Sequence, residues 1–305
     1  MKTAFIVNPA AGRGLTKQVW PRLRASIPAD DQVLMTEGPH HATTLARDMV
    51  AAGAERVVAV GGDGTATEVA LGLRGSDVTM GHVPTGAGCD FAKSIGLPVR
   101  PEAAIAALDS LTPLRMDLGI SGADAFLTVS GVGFDAQVAA EDRRVRRNGM
   151  RGSLPYVIAI LKVLTSYRPS PVKLSLDAGR TVEGKALLVA VANCQYYAGG
   201  MRIAPYARPD DGWLDVVVVG DLSVPGTLAL LPKVFRANHR FHPQVNFYRA
   251  RTVRIESDPP LKSHLNGEVG PDTPVEFSLD PKSLTVLTGR VPEPLPGESV
   301  AVQSA

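Results

Sequence analysis

The most constraining feature of this chain is the segment 56–65, RVVAVGGDGT, in which a short apolar run ends in three glycines around one aspartate. Residues 57–60 predict a strand buried on both faces, and a helical stretch follows the glycines. Gly61, Gly62 and Gly64 place no side chain where the backbone must turn sharply and approach another group closely. Backbone N–H groups at the start of the following helix favour an anion, so the segment predicts a phosphate site.

Asp63 places a carboxylate inside this glycine turn, beside the predicted phosphate site. A lone carboxylate repels an anion, so its presence indicates either a bridging Mg²⁺ or a role in proton transfer. The competing interpretation, a tight strand-to-helix turn that binds nothing, stays open on this segment alone.

Two other segments have the same order of strand, glycine loop and polar side chain. The strand 3–7 ends in Asn8, Pro9 and a glycine loop, and the strand 81–84 is followed by a glycine loop that ends at Asp90. Ligands of open parallel sheets bind at the carboxyl ends of the strands, so we expect all three loops to face one crevice.

The pattern of predicted elements indicates an α/β protein with two domains. Residues 1–120 alternate strand and helix, which is typical of a Rossmann-like parallel-sheet unit, whereas residues 121–282 contain mainly strands. Within the second region, residues 125–132, 181–193 and 245–257 each predict one continuous strand.

The ordered set of motifs resembles the diacylglycerol kinase and sphingosine kinase superfamily, in particular its bacterial lipid kinases. The family motifs Asn-Pro-x-x-Gly and Gly-Gly-Asp-Gly-Thr stand at residues 8–12 and 61–65, and an altered form of Pro-x-Gly-Thr-x-Asn-Asp-Phe-Ala stands at residues 84–92. Parts of residues 199–215 resemble the signature of its second domain. The resemblance covers all of the chain except the tail.

This resemblance implies a nucleotide-binding domain over residues 1–120 and a mainly antiparallel β-sandwich for lipid over residues 121–282. A last strand at about residues 283–288 would return to the first domain. The implied activity is transfer of the γ-phosphate of ATP, with Mg²⁺ as cofactor, to a hydroxyl of a lipid such as diacylglycerol or a sphingoid base.

The resemblance also implies roles for single residues of this chain. Asp63 would contact Mg²⁺ or take the acceptor proton, and Glu268 would lie beside the nucleotide from the second domain. The residues implied to hold the nucleotide are Asn8, Gly12, Gly62, Gly64, Thr65, Gly86 and Asp90. The implied metal ligands are Asp63, Asp90 and Asp117 in a magnesium network, and Asp211 with the backbone carbonyls of Arg208 and Trp213 at a structural divalent cation. Ordinary turn roles are the competing interpretation for Asp117 and Asp211.

Three positions depart from the family pattern. The third glycine loop has Ala87 where the family has threonine and Cys89 where it has asparagine. The usual Asp-Gly-Glu near the end is Asn-Gly-Glu at residues 266–268, so Asn266 occupies the position of the proposed catalytic base, and an amide cannot take a proton at neutral pH. Either another carboxylate serves as base, with Asp63 the leading candidate, or turnover is reduced, or the acceptor is unusual.

Other nucleotide-binding classes explain less of the chain. It has no Gly-Lys-Ser/Thr P-loop, and a dinucleotide-like Gly12-x-Gly14 with Glu37 has Lys17 where the third glycine belongs. NAD kinase and phosphofructokinase share the glycine–aspartate–glycine loop but leave the two later signatures unexplained. Two alternatives within the same fold stay open: a catalytically weakened ATP- or lipid-binding regulator, and a kinase for a non-lipid alcohol.

Composition agrees with a cytoplasmic enzyme. The 32 Lys and Arg residues against 30 Asp and Glu leave a net charge of +2, which argues against nucleic acid as a partner. The two cysteines form no disulfide framework, and no apolar run of the sequence is long enough to span a membrane.

The arginine-rich segment 141–151 precedes the apolar residues 153–164. This order predicts peripheral contact with an anionic inner-membrane surface, or else a solvated charge run before an ordinary core helix. A homodimer is compatible with the sequence, and the tail 291–305 is expected to be disordered.

Overall fold

A computed structural model of the chain describes residues 2–147, 154–177 and 179–296. The strands are β1 (Thr3–Val7), β2 (Gln32–Met35), β3 (Arg56–Gly61), β4 (Thr79–Pro84), β5 (Thr112–Ser121), β6 (Asp124–Phe126), β7 (Val129–Gly133), β8 (Ser170–Leu176), β9 (Arg180–Ala186), β10 (Leu188–Ala192), β11 (Leu214–Val219), β12 (Val245–Ala250), β13 (Thr252–Ser257), β14 (Lys262–Leu265), β15 (Glu268–Asp272) and β16 (Val275–Thr288). The helices are α1 (Leu15–Arg24), α2 (His41–Ala51), α3 (Asp63–Leu73), α4 (Asp90–Ser94), α5 (Pro101–Ala107), α6 (Phe134–Arg147), α7 (Leu154–Ser166) and α8 (Val224–Phe235).

The N-terminal part is a parallel sheet with helices on both faces. Its strand order is β2-β1-β3-β4, and every one of these pairings is parallel. Along β1, Ala4 and Ile6 pack toward α2 and α3, whereas Phe5 and Val7 pack toward α1 and α5, so the strand is apolar on both sides. The predicted Rossmann-like domain is confirmed, and its strands end at one edge where their following loops gather.

The second region is a β-sandwich with a further helical layer. One sheet has the order β12-β11-β10-β7-β14-β15 and is antiparallel throughout. It packs against the antiparallel part of the first sheet, with Phe126, Val189 and Phe277 in the shared core. Its other face packs against α6, α7 and α8. The predicted antiparallel sandwich is therefore confirmed.

Strand β16 joins the two regions. Its first half pairs antiparallel with β13, its end pairs parallel with β4 through Thr285 and Val286, and β5 pairs antiparallel with both parts. The first sheet is therefore continuous from the nucleotide-binding region into the sandwich.

The predicted continuous strands over residues 125–132, 181–193 and 245–257 are wrong. Each is two strands, β6 and β7, β9 and β10, and β12 and β13, and the members of each pair belong to different sheets. The chain crosses from one sheet to the other at residues 127–128, at Leu187 and at Arg251. Both halves of each run face the same core, so their apolar residues look like one strand in the sequence.

The predicted disorder of the tail does not hold for its first six residues, 291–296. The N–H of Leu295 donates to the carbonyl oxygen of Pro205 at 3.0 Å. Gln195 Nε2 donates to the carbonyl oxygen of Pro292 at 3.0 Å, so this stretch packs on the sandwich domain. Residues 297–305 of the predicted tail lie outside the described residues.

Candidate active site

The three glycine loops after β1, β3 and β4 touch one another at the carboxyl edge of the parallel sheet. A β-carbon on Gly12, whose φ is +59°, would lie 2.0 Å from the carbonyl oxygen of Thr85, so only glycine lets the first loop meet the third. A β-carbon on Gly86 would lie 2.7 Å from the Cα atom of Gly62, which shows how closely the third loop approaches the second. The loops therefore form one interlocked crevice.

Side-chain hydrogen bonds hold these loops in place. Asn8 Nδ2 donates to Thr65 Oγ1 at 2.9 Å, and Asn8 Oδ1 accepts from the N–H of Ala10 at 3.0 Å. The hydroxyl oxygens of Thr16 and Thr85 are 2.6 Å apart in the buried space between the first and third loops. Asn8 and Thr65 thus support the loops from within, and their contact with a nucleotide stays a prediction.

Asp63 and Asp90 bring two carboxylates to the surface of this crevice. Asp63 begins α3, and its Oδ2 and Oδ1 accept from the N–H groups of Asp90 and Phe91, both at 3.2 Å. Asp90 Oδ2 accepts from the N–H of Gly199 in the sandwich domain at 2.8 Å. Gly88 lies beside both side chains, since a β-carbon on it would be 3.0 Å from Asp90 Oδ2 and 3.4 Å from Asp63 Oδ2. The two domains therefore meet at this pair.

Burial raises the pKa of the Asp63 carboxyl group and the pKa of the Asp90 carboxyl group above the usual value of aspartate. Backbone N–H donors and the charge of Lys93 oppose this rise. The charge of Asp63 raises the pKa of Asp90 further. Lys93 Nζ lies 3.6 Å from Asp90 Oδ1 and donates to the carbonyl oxygen of Gly88 at 2.8 Å. Asp90 Oδ1 is buried without a hydrogen-bond partner in the part of the chain that the structure describes. A further cation here would offset the burial and the mutual repulsion of the pair.

This donor set fits Mg²⁺ that arrives with a nucleotide. Mg²⁺ in such sites is bound by one or two carboxylates together with waters and substrate phosphates, and Asp63 and Asp90 supply two carboxylates. Over residues 2–147, 154–177 and 179–296, no group of three or more His, Cys, Asp or Glu side chains is arranged to hold a metal ion. Asp63 and Asp90 are thus compatible with Mg²⁺, and their part in binding it stays a prediction.

A cavity of about 700 Å³ extends from these carboxylates toward the sandwich domain. Four predicted site residues line it, namely Asp63, Asp90, Asn266 and Glu268. The other predicted nucleotide residues are not part of this lining among the described residues, namely Asn8, Gly12, Gly62, Gly64, Thr65 and Gly86. The structure thus brings together residues that lie more than 200 positions apart in the sequence.

Asn266 lies in the β14–β15 turn, with a φ of +47°, and both the oxygen and the nitrogen of its amide bond groups of residues 125–128. Its Oδ1 accepts from the N–H of Leu127 at 3.2 Å, and from the N–H and the hydroxyl of Thr128 at 3.4 and 3.3 Å. Its Nδ2 donates to the carbonyl oxygen of Ala125 at 3.2 Å. An aspartate would set a carboxylate oxygen against that carbonyl, so the amide suits these partners better than a carboxylate does.

Glu268 extends from the same turn toward the second glycine loop. Its Oε2 lies 3.5 Å from Arg143 Nη2, and a β-carbon on Gly64, near the start of α3, would lie 3.8 Å from its Oε1. The side chain is 72% exposed, so it has room to move when a ligand enters. This position is compatible with the predicted place beside a nucleotide, and the catalytic role of Glu268 stays a prediction.

Cys89 fills its place in the third glycine loop without becoming a reactive thiolate. Its Sγ donates to the carbonyl oxygen of Gly86 at 3.2 Å, and its φ is +51°. Burial, followed by the charge of Asp63, raises the pKa of the thiol to about 11. The thiol therefore stays protonated at neutral pH and acts as a small side chain that holds the loop.

Asp117 does not belong to the cavity lining that the described residues form. It is fully buried, and its Oδ2 and Oδ1 accept from the N–H groups of Gly212 and Lys282, each at 2.7 Å. Burial raises the pKa of this carboxyl group, and those two N–H groups oppose the rise. Asp117 therefore ties the turn at Gly212 to β16, and its part in a magnesium network stays a prediction.

Asp211 is also absent from that lining among the described residues. Its Oδ1 accepts from the N–H of Trp213 at 3.2 Å, and its Oδ2 lies 3.5 Å from Arg249 Nη1. Arg208 Nε donates to Asp210 Oδ1 at 3.2 Å. The guanidinium of Arg249 thus supplies positive charge at Asp211, and the predicted cation held by Asp211, Arg208 and Trp213 stays untested.

Two residues of the cavity wall, Asp135 and His264, are absent from the predicted site. Asp135 lies in the first turn of α6, and His264 lies on β14. The signal for Asp135 is present in the sequence, because Gly131, Gly133 and then Asp135 follow the same order of strand, glycine and aspartate as the other loops. The signal for His264 is its position two residues before Asn266, which suggests contact with substrate, although a single histidine is more often structural.

Comparison with known proteins agrees with this arrangement. The family model "Diacylglycerol kinase catalytic domain" matches residues 2–120, and the model "YegS C-terminal NAD kinase beta sandwich-like domain" matches residues 128–288. A diacylglycerol kinase of Mycobacterium tuberculosis is 31% identical over 298 residues, covering 95% of this chain and 96% of that protein. A protein named "Probable lipid kinase YegS-like" from Pseudomonas putida is 31% identical over 248 residues, covering 80% of this chain and 80% of that one.

The fold is shared with a solved structure as well. A crystal structure of a diacylglycerol kinase from Bacillus anthracis superposes with a TM-score of 0.69 at 23% identity, covering 95% of this chain and 97% of that one. The matched regions contain the glycine loops, the carboxylate pair and the sandwich that closes the cavity. The chain therefore belongs to the diacylglycerol kinase family of lipid kinases.

Proposed function

We propose that this protein transfers the γ-phosphate of ATP to a hydroxyl group of a lipid acceptor such as diacylglycerol or a sphingoid base. One observation carries the proposal. The cavity of about 700 Å³ has Asp63 and Asp90 of the glycine loops on one side, and Asp135, Tyr156 and Tyr197 of the sandwich domain on the other.

The same three sandwich residues also line a smaller cavity of about 40 Å³, which lies between the second sheet and helices α6, α7 and α8. Ile160, Leu188 and Val234 are among its apolar walls. This pair of cavities suits an amphiphile whose hydroxyl lies in the charged space and whose chain enters the apolar one. A cavity of about 40 Å³ is far too small for a whole acyl chain, so in this proposal it widens when the chain enters.

In the proposed reaction the acceptor oxygen forms a bond to the γ-phosphorus, and the bond from that phosphorus to the β–γ bridging oxygen breaks. The phosphates would lie against the glycine loops, which Asn8 and Thr65 support, and the residues that would hold Mg²⁺ are Asp90 and Asp63. The bound ion supplies neutralisation of phosphate charge, which is a large part of such catalysis. The acceptor proton passes to a carboxylate, for which Asp63 is the leading candidate, and in that role Asp90 rather than Asp63 would be the ligand of Mg²⁺.

The test is incubation of the protein with labelled ATP, Mg²⁺ and an extracted lipid mixture, followed by mass identification of labelled products. We expect a phosphorylated lipid. ATP binding without a labelled product would favour the regulator, and a water-soluble product would favour a kinase for a non-lipid alcohol. The proposal would fall in either case.

We expect Asn266→Asp to slow phosphoryl transfer rather than restore a missing base. The new carboxylate oxygen would face the carbonyl of Ala125 without a proton between them, which costs about 1–3 kcal/mol of stability. It would also add negative charge to the wall of the phosphate cavity. Single-turnover rates at saturating ATP and Mg²⁺ check this expectation.

Asn246→Asp is the matched control, because it adds the same charge at an exposed position of β12. A general base is typically worth about 10²–10⁴-fold in rate. An Asn266→Asp enzyme that is faster than the unaltered protein on any lipid would therefore show that a base is missing and would overturn our expectation.

A surface for membrane contact accompanies the proposed function. No helix of the described residues is long and apolar enough to cross a bilayer. Phe235 at the end of α8 and Phe241 just beyond it are 54% and 72% exposed, and the guanidinium carbon of Arg240 lies 4.5 Å from the Phe241 ring centre. Residues 224–241 contain Lys233, Arg236 and Arg240 and no acidic residue. We call residues 224–241 the α8 surface, and propose that it rests on an anionic membrane.

The predicted arginine-rich surface is described only in part. Arg143 lines the cavity and lies 3.5 Å from Glu268, and Arg144 lies 4.0 Å from Glu141. The side chains of residues 146–153 lie outside the described residues. Contact of this segment with an anionic membrane stays a prediction, and the α8 surface is the better described candidate.

We expect the double substitution Phe235→Ser and Phe241→Ser to weaken binding to anionic phosphatidylglycerol vesicles by about tenfold or more, because each phenyl group contributes roughly 1.5–3 kcal/mol when fully removed from water. Co-sedimentation at rising salt concentration is the measurement, and the remaining binding should weaken with salt. Leu15→Ser, which alters an exposed apolar residue on α1, is the control. A second variant replaces Arg143, Arg144, Arg146 and Arg147 by Gln. If this variant loses vesicle binding while the double Phe variant keeps it, the contact belongs to the arginine-rich segment instead.

A further inference from the structure

Asp135 and His264 form a buried polar pair in the wall of the large cavity. His264 Nε2 lies 3.0 Å from Asp135 Oδ2, and the two side chains are only 3% and 8% exposed. Both residues line the cavity of about 700 Å³ that also contains the Asp63 and Asp90 carboxylates. A buried charged group at such a place is unusual without a partner or a ligand.

Backbone N–H groups orient both members of the pair. The N–H of Gly267 donates to His264 Nδ1 at 3.2 Å, so the proton of the neutral ring is on Nε2 and points at Asp135. The N–H of Ala136 donates to Asp135 Oδ1 at 2.8 Å. Two donors therefore hold the Asp135 carboxylate in one orientation. Because a carboxylate has about four lone-pair positions, Asp135 can still accept hydrogen bonds from a ligand.

The location of Asp135 shows which spaces its remaining acceptor positions face. Asp135 lines both the charged cavity and the small apolar cavity, together with Tyr156 and Tyr197. A lipid whose chain enters the apolar cavity would therefore place its polar end against Asp135. Asn266 lies on the same wall, but its amide already forms hydrogen bonds with the backbone of residues 125–128. It therefore has fewer groups left to bind such a ligand.

We propose that the Asp135–His264 pair binds a hydrogen-bond donor of the acceptor's polar end, other than the hydroxyl that is phosphorylated. The proposal rests on the proposed lipid kinase function and adds a specificity to it. Asp135 contacts the acceptor, and His264 is a positioning residue that holds the Asp135 carboxylate through Nε2–H.

This inference divides lipid alcohols into two groups. Diacylglycerol has one hydroxyl, which is the group that reacts. A monoacylglycerol has a second hydroxyl, and a sphingoid base has a second hydroxyl and an ammonium group. The pair therefore favours acceptors of the second group, and comparison of a diol with an amino alcohol shows whether hydroxyl or ammonium is the donor.

The first experiment compares the unaltered protein with Asp135→Asn on short-chain diacylglycerol, monoacylglycerol and sphingoid base. Binding is measured by calorimetry without ATP, and KM and kcat are measured with ATP. We expect Kd and KM for the two-donor lipids to rise about 10–100-fold, the range that follows from loss of one hydrogen bond to a charged group. Kd and KM for diacylglycerol should change by a much smaller factor than those for the two-donor lipids, so the ratio between the two groups is the readout.

The second experiment tests the positioning role of His264. Gln in His264→Gln keeps an N–H donor for Asp135, whereas Leu in His264→Leu removes it. We expect the leucine variant to lose most of the preference for two-donor lipids and the glutamine variant to retain much of it. Asp177→Asn is the control, because Asp177 also accepts two backbone N–H groups, those of Arg251 and Thr252, but lies on an exposed turn outside the cavity lining of the described residues.

The outcomes separate the two proposals. If the unaltered protein phosphorylates no lipid, the proposed function fails, and the calorimetric comparison still decides whether Asp135 binds the second donor. If lipids are phosphorylated but Asp135→Asn affects diacylglycerol and the two-donor lipids equally, or affects none of them, the inference about Asp135 is wrong. Equal behaviour of His264→Leu and His264→Gln would remove the positioning role of His264.

Discussion

Asp63→Asn is expected to lower the rate of lipid phosphorylation by about 10³-fold, because loss of one preorganised electrostatic group at a reacting phosphate has effects of that order. Asp63 is the first residue of α3, and its carboxylate lies beside that of Asp90 above Gly88. An amide at this position can neither bind Mg²⁺ as a charged ligand nor take the acceptor proton at neutral pH.

The protein should still fold with this substitution. The amide oxygen can accept one of the two N–H groups, of Asp90 or Phe91, that the carboxylate accepts now. Loss of the other hydrogen bond costs about 1–3 kcal/mol, a fraction of the stability of an ordinary domain. Circular dichroism and urea unfolding check the fold, and initial rates across Mg²⁺ concentrations check the chemistry. Turnover near that of the unaltered protein on any accepted lipid would remove Asp63 from the mechanism.

Local signals account for the part of the fold that the sequence predicts. In the N-terminal region each buried strand is followed by a loop with glycine and by a helix. The spacing of apolar residues and the residues of the turns therefore predict the same elements along this region. In the sandwich, only one or two residues separate the two strands where the chain crosses from one sheet to the other, as at Leu187. Both strands direct apolar side chains into the same core. Nothing in the local sequence marks the change of sheet, which depends on tertiary packing.

The candidate site likewise has one part that the local sequence predicts and another part that depends on tertiary packing. Asp63 and Asp90 lie in glycine loops at strand ends and are predicted from the sequence together with their closeness in space. Asp135 has the same local pattern, since it lies in the first turn of α6 just after the strand predicted over residues 125–132, and only the folded structure brings it to the wall that faces Asp63 and Asp90. His264 becomes part of the site only because β14 pairs with β7, which brings residues more than 100 positions apart into one wall. Such pairing is not a property of either segment alone.

Asn266 shows that a motif position does not by itself define a role. The sequence places this residue where the family has a proposed base, which leaves open another base, reduced turnover or an unusual acceptor. The structure shows an amide with donors and acceptors matched to Ala125, Leu127 and Thr128. The amide of Asn266 has a structural role in these contacts and cannot take a proton at neutral pH, so the proton acceptor is better sought among Asp63 and the other carboxylates of the cavity.

Asp117→Ala is expected to lower the free energy of unfolding by about 2–6 kcal/mol, because it leaves the buried N–H groups of Gly212 and Lys282 without their acceptor and each such loss costs about 1–3 kcal/mol. The same substitution should leave the Mg²⁺ concentration for half-maximal activity unchanged. The reason is that Asp117 lies outside the cavity lining of the described residues, with each oxygen held by a backbone amide at 2.7 Å.

Asp177→Ala is the matched control for this prediction. Asp177 Oδ1 also accepts from two backbone N–H groups, at 2.8 and 2.9 Å, but the residue is exposed, so water can replace the lost acceptor. Urea unfolding of both variants should therefore show a much larger loss for Asp117→Ala at an unchanged slope. If Asp117→Ala instead keeps its stability and needs a higher Mg²⁺ concentration, then Asp117 is part of the magnesium network, and its two short backbone hydrogen bonds serve to orient a ligand rather than to hold the fold.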